Sequence, residues 1–413
     1  MKKALIIAQD FPPLNSIGAQ RPYSWYRYFP ENNIYPIIFA KKWNSHNADA
    51  IKVNKHSEIH LIKCEMVFRN NVSKIPFLGI WIRKFLTFFE HILKWKTLKI
   101  DYTNNLYWSA HKYLKNNRVD IIIATGEPWI LFKYADTLSK EFEVPWIADY
   151  RDGWNTNVSI EYNRLAQILS KFYFKKIEKK IINSASAFSF SDPCESLKIK
   201  NINSEKKIIT TINGYNNEII NQLEEPVFSS EYLNISYAGT IYDFQDFESF
   251  LNGLNKYIDT NPGVKIKVNL YGNKGNIKIL NRISTVNPEL INYFNLSPRM
   301  TQEEVIVKLN NSHVLLLLAS KKHVALPAKL FEYFGLEKMI IVSTNDKSDV
   351  ETFVNATNSG FVCDDSDEIY ECIAELYDKF KSNSNFKTKI KNKEFYSRKH
   401  QTILMCEEIN KII

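Results

Sequence analysis

Short apolar runs bounded by turn residues alternate with longer amphipathic stretches along the whole chain, the pattern of parallel strands joined by crossover helices. In the first half, strands are predicted at 4–8 (ALIIA), 35–40, 59–64, 120–125, 145–150, 186–191 and 206–214, with helices at 21–29, 108–117, 131–142 and 161–182. A second series has strands at 234–240, 265–272, 313–320, 338–344 and 360–365, and helices at 245–258, 301–311, 327–336, 346–355 and 366–381. The polar stretch 217–232 has weak periodicity and separates the two series as a linker. The expectation is α/β: two doubly wound, Rossmann-like domains, 1–216 and 233–392, with a last helix at 393–411 free to pack back on the first. Ligands of such sheets bind beyond the C-terminal strand ends, so the chemistry belongs in the post-strand loops and in a crevice where the domains face.

A length of 413 residues suits two domains better than one core, and 45% apolar with 24% charged residues is ordinary globular usage. The five cysteines form no Cys-x-x-Cys pair and have no zinc-finger histidine spacing, so neither a disulfide framework nor a structural metal is expected. The N-terminal MKKALIIAQD carries an apolar run too short for a signal or a membrane span, and it reads as a first buried strand. A net charge of +9 calls for an anionic partner: nucleic acid, an acidic membrane surface or a phosphorylated substrate. No zinc finger, RRM or KH signature is present, which argues against nucleic acid.

After the first strand, a Pro-rich entry leads to Gly18 and then to Arg21 at the start of an aromatic helix, where backbone and N–H groups can approach an anion. No Gly-x-Gly-x-x-Gly occurs there, so the nicotinamide and flavin fingerprint is missing. The fourth strand delivers Glu127 to its end, and the fifth delivers Asp149, Arg151 and Asp152. These charges either face a polar ligand or pair among themselves, Arg151 with Asp152. Trp129 and Trp154 nearby are either core or flat faces for a sugar ring. In the second half Gly239, Thr240 and Gly272 end strands where a phosphate can be met, and the helix after Pro327 carries Lys329 and Glu332 at i, i+3. The plain alternative for that last pair is a surface ion pair.

Taken in order, FPPLNSIGAQR, PWIADYRDGW, ITTINGYNNE, SYAGT, LYG and LPAKLFEYFGLEKMIIV resemble the retaining GT-B glycosyltransferases of family 4, in the branch that builds bacterial surface polysaccharides. The resemblance implies that Gly18 lies near the donor phosphates and the acceptor and Asp149 near the transferred sugar; Arg21, from its place at the helix start, joins the donor-binding candidates. It further implies that Gly239, Thr240 and Lys329 surround the diphosphate, that the backbone around Arg299 flanks the base and that Glu332 holds the ribose, with Gly272 added to the donor site from its own strand-end position. Glu127, Arg151 and Asp152, taken from their strand-end positions, complete the candidate catalytic set with Asp149 and Lys329. The donor so implied is a UDP- or GDP-sugar and the acceptor a glycan or a lipid-linked glycan; the reaction retains configuration by attack on the face the diphosphate leaves.

Two departures stand out. Val324 occupies a place where the family often has Glu, and the run from Thr240 to Phe247 lacks the Arg and Lys that often follow the Gly of SYAGT. Positive charge would then come from Lys329, Arg299 or Arg21. Asp-x-Asp is missing at strand ends, so neither a metal nor a separate cofactor is expected. Segment 74–100 combines Trp, Phe and Leu with basic residues at near-helical spacing, and reads either as a peripheral membrane contact or as a helix over the first core. The expected location is cytoplasmic, at the inner face of the membrane. A nucleotide-sugar epimerase of the same fold and an inactive GT-B scaffold remain as alternatives.

Overall fold

In the computed structural model, the described residues are 1–14, 16–43, 55–64, 95, 101–151, 153–154, 174–193, 196, 206–319, 326–344, 347, 349–383 and 385–413. The chain divides into two compact units: Met1–Ile212 with Gln401–Ile413, and Asn213–His400.

The first unit is built on strands β1 (Lys2–Ala8), β2 (Ile34–Lys41), β3 (Glu58–Ile62), β4 (Ile121–Gly126), β5 (Trp146–Tyr150), β6 (Ala187–Phe190) and β7 (Lys207–Thr210). They form one parallel sheet in the order β3-β2-β1-β4-β5-β6-β7. The central strands are apolar on both faces because helices cover both. Leu5 and Ile7 face one core with Phe39 and Ile122, whereas Ala4 and Ile6 face another with Ile38 and Ile123. The first core is closed by helices α2 (Asn104–Leu114) and α3 (Ile130–Phe142). The second core is closed by α1 (Ile17–Tyr28) and by Met405, Cys406 and Ile409 of the last helix, Arg398–Asn410.

The second unit carries β8 (Leu233–Ala238), β9 (Ile266–Tyr271), β10 (Phe294–Ser297), β11 (Val314–Leu318), β12 (Met339–Ser343) and β13 (Gly360–Cys363). Its parallel sheet runs β10-β9-β8-β11-β12-β13. The strand order reverses between β1 and β4 in one sheet and between β8 and β11 in the other, and these reversals mark the ligand positions of doubly wound sheets.

The strands follow the sequence expectation closely, with one addition. Strand β10 is only Phe294–Ser297 and alternates weakly, so its short FNLS run gave too little signal; the amphipathic helix before it, Ile277–Val286, was also missed. The stretch 217–232 packs within the second unit. Asn217–Ile220 is a short helix, the Val227 N–H donates to Asn311 Oδ1 at 2.9 Å, and Phe228 stacks on His313 at 5.1 Å. The segment 74–100 lies outside the described residues except for Trp95, and so does most of 161–182, whose described end at 174–182 is helical. Among the described residues no helix is long and apolar enough to cross a membrane.

Candidate functional site

The residues singled out in the first unit form a supporting network. Helix α1 starts at a Ser16 cap that accepts the Ala19 N–H, and this brings Arg21 over the ends of β5 to β7. The Arg21 Nε donates to Asp149 Oδ1 and Oδ2 at 3.0 and 3.1 Å, and Nη2 donates to Oδ1 at 2.8 Å. Nη1 reaches the Thr211 carbonyl at 2.6 Å, and Nη2 also reaches Ser189 Oγ and Thr211 Oγ1 at 2.9 and 2.8 Å. Every guanidinium nitrogen is engaged, Arg21 is 7% exposed and Asp149 is fully buried. Arg21 and Asp149, expected near the donor phosphates and the transferred sugar, serve each other in this structure, because burial of either charge requires its partner.

Arg151 pairs with Asp10 at 3.3 Å, across the end of β1. Gly18 lies directly under that pair: a Cβ there would stand 1.9 Å from Arg151 Nη1 and 2.6 Å from Asp10 Oδ2. The ion pair between the loops after β1 and β5 thus packs closely over the glycine. Asp152 lies outside the described residues, and Glu127 is exposed after β4. Trp129 and Trp154 stack on one another at 5.6 Å and 7° between planes, with Trp95 against Trp154 at 5.1 Å. Their faces cover each other and belong to the core rather than to a sugar platform.

The second unit brings its predicted residues together. Gly239 follows β8 with φ +108° and Gly272 follows β9 with φ +90°, backbone turns that favour glycine. A Cβ on Gly272 would lie 3.8 Å from Gly239 Cα and 4.0 Å from Arg299 Cγ, and one on Gly239 would lie 3.0 Å from Lys329 Nζ. Lys329 comes from the first turn of helix α8 (Ala328–Leu336), with α4 to α7 being Asn217–Ile220, Phe247–Thr260, Ile277–Val286 and Gln302–Asn310. Strand ends at the β8/β11 reversal and the start of α8 thus converge on one place, with Thr240 exposed beside it.

The charges there are unbalanced. The Lys329 Nζ donates to the Tyr237 hydroxyl at 2.6 Å, and no carboxylate pairs with it among the described residues; burial pushes its ammonium down to about 7. Arg299 is exposed and has no ion pair or hydrogen bond among the described residues. Two cations with glycine backbone between them and no counter-charge suit an anion.

Glu332, one turn on, does not pair with Lys329, so the surface ion-pair alternative falls. Its Oε1 accepts from Arg398 Nη2 at 2.8 Å and from Gln302 Nε2 at 3.1 Å, while Oε2 is buried and accepts no hydrogen bond. Burial pushes the carboxyl up, against the pull of Arg398 and of the Asn216 amide. Arg398 is in turn fixed by donation from Nε to the Gly214 carbonyl at 3.1 Å, and Tyr215 fits against Gly335, where a Cβ would meet its ring at 2.7 Å. The Asn-Gly-Tyr segment therefore packs on the helix that carries Lys329 and Glu332.

Sequence reasoning missed Tyr237, Asn273, Gln302 and Arg398. Tyr237 and Asn273 adjoin Gly239 and Gly272 in the motifs, a usable signal; Arg398 stands far along the chain in a polar stretch with nothing to mark it. Among the described residues no group of three His, Cys, Asp or Glu side chains is arranged to hold a metal ion.

No protein-family model and no curated protein matches the chain. Solved structures do match along its whole length. Sucrose-phosphate synthase from Thermosynechococcus elongatus has a TM-score of 0.63 at 11% identity, covering 100% of this chain and 95% of that one. A glycosyltransferase from Rickettsia africae ESF-5 has a TM-score of 0.62 at 15% identity, covering 100% and 98%. Anabaena HepE, solved in complex with UDP and glucose, has a TM-score of 0.59 at 9% identity, covering 100% of both. At such identities the likeness concerns the fold alone: the chain has the two-domain α/β fold of the GT-B type.

Proposed function

We propose that the chain is a glycosyltransferase that moves a sugar from a UDP- or GDP-sugar to a glycan or lipid-linked acceptor in surface-polysaccharide synthesis, with retention at the anomeric carbon. The observation that carries the reading is the meeting of Lys329 and Arg299, both without a carboxylate partner, around Gly239 and Gly272 at the strand-order reversal of the second unit. A leaving diphosphate gains negative charge as its bond to the sugar breaks, and preplaced cations lower that barrier without reorganisation. Glu332 offers a buried, unpaired oxygen one helical turn from Lys329, suited to a hydroxyl of the nucleotide. HepE, which shares the fold, is a protein solved with UDP and glucose. The reading assigns no metal and no cofactor beyond the donor, and it locates the work at the inner face of the membrane.

The test is a thermal-shift screen against UDP, GDP, CMP, ADP and their sugars, run with Glu332→Gln alongside. A ligand at about 100 times its Kd stabilises by about 2.7 kcal/mol, a clear rise in Tm. One nucleoside diphosphate is expected to shift the wild type and to shift the variant much less; no shift by any of them removes the donor reading.

The titration of Lys329 adds a second expectation. Its ammonium is lowered to about 7 in the empty protein, so it is charged below that pH and neutral above it, while a bound diphosphate favours the charged form. Affinity for the diphosphate should therefore fall as pH rises above about 7, by up to about tenfold per pH unit until the pKa in the complex is passed. Isothermal titration across that range measures it, and Lys329→Arg should flatten the slope. A flat wild-type profile would contradict the assignment.

A further inference from the structure

We propose that Tyr237 and Asn273 are positioning residues that aim the backbone N–H groups of Thr240 and Ile241 at the terminal phosphate of a nucleoside diphosphate, in place of the basic side chains this loop lacks; the inference rests on the donor reading above. In a trans peptide the carbonyl and the following N–H point opposite ways. Asn273 Nδ2 donates to the Gly239 carbonyl at 2.9 Å, and the Tyr237 hydroxyl donates to the Thr240 carbonyl at 2.9 Å. The two peptides so gripped carry the N–H groups of Thr240 and Ile241, and both bonds are trans. Each N–H is thus turned away from the side chain that holds its carbonyl, and neither has a hydrogen-bond partner among the described residues.

The grips are rigid. Asn273 is 1% exposed, and its loop is tied down by the Ser297 carbonyl, which accepts from the N–H groups of Gly272, Asn273 and Lys274 at 3.0, 3.0 and 2.9 Å. Its Oδ1 is buried without a partner, a cost that a merely space-filling residue would avoid, whereas its Nδ2 serves both the Gly239 and the Tyr271 carbonyls. Tyr237 is fully buried and its hydroxyl also receives Lys329, so one oxygen fixes both the ammonium and the Thr240 peptide. Buried side chains of this kind cannot swing out to a ligand; they set the direction of the backbone that can. Successive N–H groups beside a left-handed glycine form an anion-binding concavity, and a Cβ on that glycine would lie 3.0 Å from Lys329 Nζ.

The experiment titrates wild type, Tyr237→Phe and Asn273→Leu with UDP, GDP, UMP, GMP and inorganic pyrophosphate, with circular dichroism to confirm folding. Wild type is expected to bind its preferred diphosphate at least about tenfold more tightly than the matching monophosphate. Each variant should cut that preference below about threefold while leaving monophosphate affinity unchanged, a split that a general loss of packing would not produce. Asn273→Leu does not touch Lys329, so it separates the backbone effect from the ammonium, and it decides alone if Tyr237→Phe fails to fold. Folded variants that keep the wild-type preference, or that lose both nucleotides equally, overturn the proposal and leave the donor reading standing. A wild type that binds no diphosphate and no pyrophosphate overturns both.

Discussion

Asp149→Asn is expected to destabilise the first unit by about 3–5 kcal/mol, the cost of leaving a buried guanidinium without its counter-charge. The substitution keeps the shape of the side chain, so the effect isolates charge. Arg21 is held to Asp149 by three hydrogen bonds, and its remaining donors are spent on Thr211 and Ser189, which are neutral. No other carboxylate pairs with Arg21 among the described residues, so nothing can replace the lost charge. For a unit of this size the loss corresponds to roughly 6–20 °C in Tm. The double variant Arg21→Met, Asp149→Leu should recover part of the loss, since an apolar pair of similar volume removes both desolvation penalties. Thermal unfolding followed by tryptophan fluorescence measures both; a drop below about 1 kcal/mol for Asp149→Asn would mean that water reaches the pair.

Lys329→Gln is expected to reduce glycosyl transfer by about 10²–10³-fold, the usual cost of removing one preorganised charge-stabilising donor. Stability should move the other way. A lysine whose ammonium is lowered to about 7 by burial and meets only a tyrosine hydroxyl is costly in the folded state, so its removal should leave Tm unchanged or higher. Activity measured with the donor found in the screen, beside a melting curve, reads both. Parallel loss of activity and stability would mark Lys329 as a structural residue, and full activity would remove it from the reaction.

The strands were legible because parallel strands covered on both faces are continuous apolar runs, and ALIIA and VLLLL can hardly be anything else. Strand β10 escaped because half of its residues are polar or face solvent. The candidate site was legible in the second unit, where backbone geometry demands glycine at 239 and 272 and where Lys329 and Glu332 sit in a distinctive helix start. In the first unit the pairing of the charges was not legible. A sequence shows Arg21 and Asp149 as charges but not that 128 positions apart they become one buried pair, nor that Arg151 and Asp10 meet above Gly18. Such long-range pairing of opposite charges leaves no local periodicity to read. Tyr237 and Asn273 were overlooked for a related reason: their importance lies in which carbonyls they hold, and side-chain identity alone does not report that.

The last helix has a consequence for synthesis. The first unit is discontinuous: its sheet is complete by Thr210, yet Met405, Cys406 and Ile409 are needed to close its second core, and the Lys2 ammonium donates to the carbonyl of Ile413 at 3.2 Å. The second unit is contiguous from Asn213 to His400 and can finish folding as soon as it leaves the ribosome. The half that is translated first is therefore completed last, and until the final turns emerge it carries an apolar face, formed by Ala4, Ile6, Ile38 and Ile123, that helix α1 covers only in part. A ribosome stalled just before residue 401 would present a first unit whose second core lacks Met405, Cys406 and Ile409, an exposed apolar surface of the kind that aggregates.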